Sequence, residues 1–89
     1  MENKRIKLTK CKGKLHLVKA IMDVTKKSLF ESKNIADVMA MPSYNKITGT
    51  YEYKLGVLLL NESSITPDQW EEITRHPDFT KADVEFEYI

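Results

Sequence analysis

Residues 14–38 read KLHLVKAIMDVTKKSLFESKNIADV, and the fold turns on how this stretch is divided. Leu17, Val18, Ile21, Val24 and Thr25 recur at spacings of three and four, while Lys14, Lys19, Asp23 and Lys26 fall between them. That pattern predicts an amphipathic helix of about three turns. It stops near Lys26-Lys27, where cations suit the negative end of the helix dipole. Ser28-Leu29-Phe30-Glu31 then reads as a capping box: the Ser28 hydroxyl accepts from the Glu31 amide and the Glu31 side chain reaches back. A second helix is predicted from Leu29 to Met39 or Met41, with Leu29, Ile35, Ala36, Val38 and Met39 on its inner face. Pro42 ends it, because proline disfavours a helical residue before it.

On the N-terminal side, residues 4–11 alternate, with Ile6, Leu8 and Lys10 on one face and Arg5, Lys7 and Thr9 on the other. This predicts a short strand with one buried face, closed by Gly13. On the C-terminal side, residues 43–50 (SYNKITGT) are turn-like around Gly49. Tyr51, Tyr53 and Leu55 alternate with Glu52 and Lys54, and Gly56 precedes the apolar run Val57-Leu58-Leu59-Leu60. The run is apolar on both faces, which predicts the central strand of the sheet. Residues 44–55 also suit a small hairpin. Thr66-Pro67-Asp68-Gln69 is a helix start with an N-cap, a proline at the first helical position, an acid at the positive dipole end and a completed box. Trp70 and Ile73 face inward, and the helix ends at His76-Pro77. Ala82 to Ile89 alternates Val84, Phe86 and Tyr88 with Asp83, Glu85 and Glu87, an acidic-faced closing strand.

The predicted order is β-α-α-β-α-β, without repeats or linkers, over a single domain spanning residues 1–89. The fold class is α+β: a small two-layer sandwich with a three-stranded, mainly antiparallel sheet and three helices on one face.

The chain has 89 residues, and a domain of that size buries roughly 60–65% of its unfolded surface. It holds a modest core, too small for an enclosed active site. No apolar run approaches ~18 residues, so no membrane span is predicted. The lysine-bearing start, MENKRIKLTK, lacks the apolar core of a signal peptide. The single cysteine, Cys11, forms no internal disulfide, which suits a reducing cytoplasm. Asn61-Glu62-Ser63 matches a glycosylation pattern that has no meaning without secretion.

The net charge of +1 hides a division. Residues 1–33 carry ten bases against three acids, net +7, whereas residues 34–89 carry four against ten, net −6. If the halves fold onto different faces, the resulting dipolar field steers partners.

No catalytic, cofactor-binding or metal-ligating set is predicted. His16, His76 and Cys11 lack metal-ligand spacing, and His16 reads as a surface residue. No Ser-His-acid order, glycine-rich phosphate loop or HExxH motif occurs. The paired acids Glu71-Glu72 and Asp83/Glu85/Glu87 read as solvated faces, and Trp70, Phe86 and Tyr88 as core. Met22 and Phe30, if exposed beside the lysines, would add apolar anchors to a protein-binding surface.

The order of elements and the Lys14–Val38 stretch resemble the C-terminal domain of the bacterial large-subunit ribosomal stalk protein. That family's hallmark is a Lys, a few aliphatics, Ile-Lys-Ala-Val-Arg, then Thr-Gly-Leu-Gly-Leu-Lys-Glu-Ala-Lys and a closing Pro. Lys14, Val18, Lys19, Ala20, Ile21, Thr25, Leu29, Glu31, Lys33 and Pro42 stand at matching places. Thr66–Arg75 is similar to the family's third helix, and Ala82-Asp83-Val84-Glu85-Phe86 to its closing strand. The resemblance covers nearly the whole chain.

Several positions depart from the pattern. Met22 stands where the family has arginine, Lys26-Lys27-Ser28 replace the Gly-Leu-Gly turn, and Phe30 replaces a lysine. An insertion near Ser43–Tyr53 enlarges the link to the next strand. The family's N-terminal dimerisation region and hinge have no counterpart. The resemblance therefore implies a free-standing domain of that fold, of the kind a phage or other mobile element encodes, rather than a working stalk subunit. The family's helix pair recruits translational GTPases, and Lys14, Lys19 and Lys33 would be the contacts carried over. A Clp-protease adaptor that reads N-terminal degrons shares the fold, but its consecutive Asn-Asp-Asp motif is missing here.

The expectation is thus a non-enzymatic interaction module. Lys14, Lys19, Met22, Lys26, Lys27, Phe30 and Lys33 would bind an acidic protein, a translation factor or another host protein. The competing expectation is non-specific nucleic-acid binding by the basic first third, through phosphate contacts. The acidic second half weighs against it. A third is a homodimer paired through an exposed edge near Ser43–Tyr53.

Overall fold

The computed structural model describes residues 5–61 and 65–89. Glu62 and Ser63 of the glycosylation pattern, and the first four residues of the lysine-bearing start, lie outside the described residues.

The chain runs β1 (Arg5–Lys10), α1 (Lys14–Thr25), α2 (Leu29–Met39), β2 (Ala40–Asn45), β3 (Thr50–Leu55), β4 (Val57–Leu59), α3 (Pro67–Arg75), α4 (Pro77–Lys81) and β5 (Glu85–Tyr88). β1, β4 and β5 form an antiparallel sheet in the order β4-β1-β5, while β2 and β3 form a separate two-stranded hairpin. The α+β class and the three-stranded antiparallel sheet agree with the pattern of the sequence.

Ile6 and Leu8 point inward from β1, together with Leu58 of β4 and, partly, Phe86 of β5. Against this face pack Leu17, Val18 and Ile21 of α1, Ile35, Ala36 and Met39 of α2, and Trp70 and Ile73 of α3. The Trp70 ring meets Phe79 and Phe86 edge-on at centroid distances of 5.8 and 5.2 Å, an arrangement aromatic quadrupoles favour. Each large aliphatic side chain fully withdrawn from water contributes about 1.5–3 kcal/mol, and this cluster is the main source of stability. The opposite face of the sheet carries the exposed Arg5, Lys7 and Glu87.

Helix boundaries follow local chemistry. The Ser28 hydroxyl accepts from the Glu31 amide at 3.1 Å. Thr66 and Gln69 form a reciprocal box, both bonds at 3.1 Å, with Pro67 at the first helical position.

Five expectations are corrected. The run at residues 57–60 is not the central strand. β1 is central, and β4 is an edge in which Leu58 is buried while Val57 and Leu59 sit opposite Lys7 and Arg5 on the outer face. There are four described helices rather than three, because His76 ends α3 and its ring nitrogen caps α4, whose first residue is Pro77. On α2, Leu29 and Val38 are exposed and Ser32 takes an inner position instead. Tyr88, expected in the core, is exposed, because β5 lies at the other sheet edge. Pro42 lies inside β2, opposite Tyr53, and α2 has already ended at Met39.

The suggested hairpin is real and longer than expected, running from Ala40 to Leu55. Its turn is set by Asn45, whose side-chain oxygen accepts from the Ile47 amide at 2.9 Å. Gly49, at φ 71°, closes the turn by donating to the Asn45 carbonyl at 2.8 Å. Left-handed backbone of this kind favours glycine. Beyond Ala40 no hairpin side chain is fully buried. Gly56 joins the hairpin to the core: its amide donates to the Met39 carbonyl at 2.9 Å, and a Cβ there would lie 2.6 Å from the Val38 carbonyl oxygen.

Candidate protein-binding groove

α1, α2 and the hairpin enclose a half-open groove of about 550 Å³. Its helical side carries Leu15 and Val18 from α1 and Leu29 and Lys33 from α2. Its other wall is Pro42, Tyr51 and Tyr53, and Lys12 and Lys14 line the β1–α1 end. Leu15 is 83% exposed and Tyr51 78%. Leu15 reaches solvent because it falls off the buried stripe defined by Leu17, Val18 and Ile21. Tyr51 and Tyr53 share one face of β3, since alternate strand residues point the same way. Tyr44, opposite Tyr51 in β2, extends this aromatic face, with the two rings 5.0 Å apart.

The predicted contact residues are distributed unequally. Lys14 is not the free surface cation expected. It is only 6% exposed and forms an ion pair with Asp37, with its ammonium 5.9 Å from the Tyr53 ring centroid. Aspartate, tyrosine and lysine together fasten the first turn of α1 to α2 and the hairpin. Lys33 is exposed and lines the groove. Lys19 is exposed on α1 outside it. Met22 is half-buried against the core rather than a free anchor. Lys26 caps α1 in the left-handed conformation, φ 60°, its amide donating to the Met22 carbonyl at 2.8 Å. Lys27 is half-buried and pairs with Glu31 at 3.7 Å. Phe30 is 73% exposed, as an apolar anchor requires, but does not line the groove.

Of the expected set, the groove therefore unites only Lys14 and Lys33. Lys12, Leu15, Val18, Leu29, Pro42, Tyr51 and Tyr53 complete it. Leu15 alone carried a usable signal, as a leucine outside its helix's apolar stripe.

A second cluster joins α1 to α4. His76 Nδ1 accepts from the Asp78 amide at 3.0 Å, which leaves the proton on Nε2 to be donated to Asp23 Oδ2 at 3.0 Å. Asp78 is buried and lies 3.4 Å from His16 Nδ1. Sequence spacing did not bring these groups together, yet Asp23, His76 and Asp78 place candidate metal-binding atoms within 4.8 Å of one another. The ring thus links the Asp23 carboxylate, through Nε2, to the Asp78 backbone amide, through Nδ1. The cluster therefore works as a hydrogen-bonded chain tying the helices together.

Burial pushes the half-buried Cys11 thiol above its usual pKa, against the smaller lowering effect of Lys14. The side chain is accordingly a poor nucleophile. Among the described residues no helix is long and apolar enough to cross a membrane. Comparison with protein-family models, with curated proteins and with solved structures found no match.

Proposed function

We propose that the protein is a non-enzymatic interaction module, similar in kind to the ribosomal stalk C-terminal domain, whose α1–α2 pair binds an acidic protein surface. The observation that carries this reading is the pairing of exposed apolar and cationic groups on these helices. Leu15, Leu29 and Phe30 stand in water beside Lys19, Lys26 and Lys33, which have no ion-pair partner among the described residues. Exposed apolar side chains ringed by charge are characteristic of association surfaces. The lysines set on-rate and salt dependence, while the apolar groups hold the complex. A translation factor is the partner class that the family resemblance suggests.

The test compares the wild type with a Lys19→Glu/Lys33→Glu variant in affinity capture from lysate across a salt series. Both lysines are exposed, so the variant keeps the fold. An acidic partner captured at low salt, and lost on charge reversal, supports the reading. Capture unaffected by both substitutions overturns it.

A further inference from the structure

The groove exists only where the hairpin faces the helix pair, since its lining comes from both. We propose that this groove binds a short, extended peptide segment in which an aliphatic or aromatic side chain is flanked by carboxylates. The inference rests on the protein-binding reading above and names the form of the partner.

Shape is the first argument. About 550 Å³ of half-open space falls within the ~300–1,000 Å³ range of clefts that enclose small ligands. A space of that size takes a few side chains of an extended segment. Lining chemistry is the second. Leu15, Val18 and Leu29 offer an apolar floor, and Pro42, Tyr51 and Tyr53 form a wall. Tyrosines supply large contact area at low entropic cost, with a hydroxyl for main-chain groups. Tyr53 stands beside the Lys14–Asp37 pair, which fixes that wall against the helices.

Charge complementarity is the third. Asp37 neutralises Lys14, which leaves Lys33 and Lys12 as the cations facing an occupant. Lys33 has no ion-pair partner among the described residues, and Lys12 reaches Asp83 only at 3.8 Å, while Lys10 holds that carboxylate at 3.2 Å. A segment with carboxylates on both sides of an apolar residue satisfies the rim and the floor together.

The experiment is fluorescence anisotropy with short, capped, labelled peptides carrying Leu, Ile or Phe between Asp and Glu. Matched controls have Lys for the acids or Ser for the apolar residue. The proteins are the wild type, Leu15→Ser and Tyr51→Ser, both replaced side chains being largely exposed, so thermal melts report an unchanged fold. The groove predicts binding of acidic-apolar peptides over both controls, weakened on the order of tenfold by either substitution. Binding no better than the lysine controls, or binding indifferent to both substitutions, overturns it. So does decanoate, an apolar chain with a single carboxylate, displacing the labelled peptide and binding more tightly than any of the peptides. A partner captured equally by Tyr51→Ser and wild type, but lost on reversal of Lys19 alone, which lies outside the groove, overturns the groove while leaving the helix-pair reading intact.

Discussion

Lys14 shows how burial changes what a charged residue does. Because Lys14 is buried, its pairing with Asp37 matters more for holding the first turn of α1 in place than for attracting a partner. Removing one member strands the other, which costs about 3–5 kcal/mol for a buried pair. Lys14→Met is therefore expected to lower denaturant stability by about 3 kcal/mol, because Asp37 keeps partial access to water. The double variant Lys14→Met/Asp37→Leu should recover most of that loss in urea titrations, since an apolar pair carries no desolvation cost.

Cys11 gives a pH prediction with a definite sign. Its folded thiol has a raised pKa because burial penalises the thiolate. Folding therefore favours the protonated form. The contribution to stability is fully present below the unfolded thiol's pKa and is lost as pH rises through the folded value. Alkylation by iodoacetamide at about pH 8.5 should be slower in the native protein than in urea-unfolded chain. Equal rates would show that the thiol is not shielded.

At the scale of elements, what was legible was what is local. The caps at Ser28 and Thr66 are short motifs whose hydrogen bonds close within three residues, so both helix starts could be read directly. Sheet order is a non-local property. Val57-Leu58-Leu59-Leu60 read as central because it is apolar throughout, yet the outer face of β4 tolerates Val57 and Leu59 beside Lys7 and Arg5. The hairpin was detectable from Gly49 and the tyrosine alternation, but nothing local set its start at Ala40.

The joint at Gly56 is where hairpin and core are locked together. A side chain there meets the Val38 carbonyl at 2.6 Å, so either the end of α2 or β4 must move. Gly56→Ala should cost about 1–3 kcal/mol, in the range of overpacking substitutions. It should also speed hydrogen exchange in the hairpin, where few side chains are buried. A melt unchanged by the substitution would show that the joint yields freely.

Across the whole molecule, the division of charge along the chain is only partly a division in space. Lys10 and Lys12 of the basic third meet Asp83 of the acidic part, and Lys14 meets Asp37. These contacts consume several of the bases that the sequence suggested were free, and leave Lys19, Lys26 and Lys33 on the helix pair. The groove was invisible in the sequence for the same reason that sheet order was. Leu15, Leu29 and Tyr51 belong to three elements, and only tertiary packing makes them neighbours. Lys33 was found because the family resemblance placed it; the tyrosine wall lies in the insertion, where no resemblance applies.

The most direct test of the binding face is amide chemical-shift mapping of the ¹⁵N-labelled protein titrated with the acidic partner recovered by affinity capture. Perturbations are expected to concentrate at Leu15, Lys19, Leu29 and Lys33, with Arg5 and Lys7 on the outer sheet face unmoved. Perturbations centred on Arg5, Lys7 and Glu87, with the helix pair silent, would contradict it.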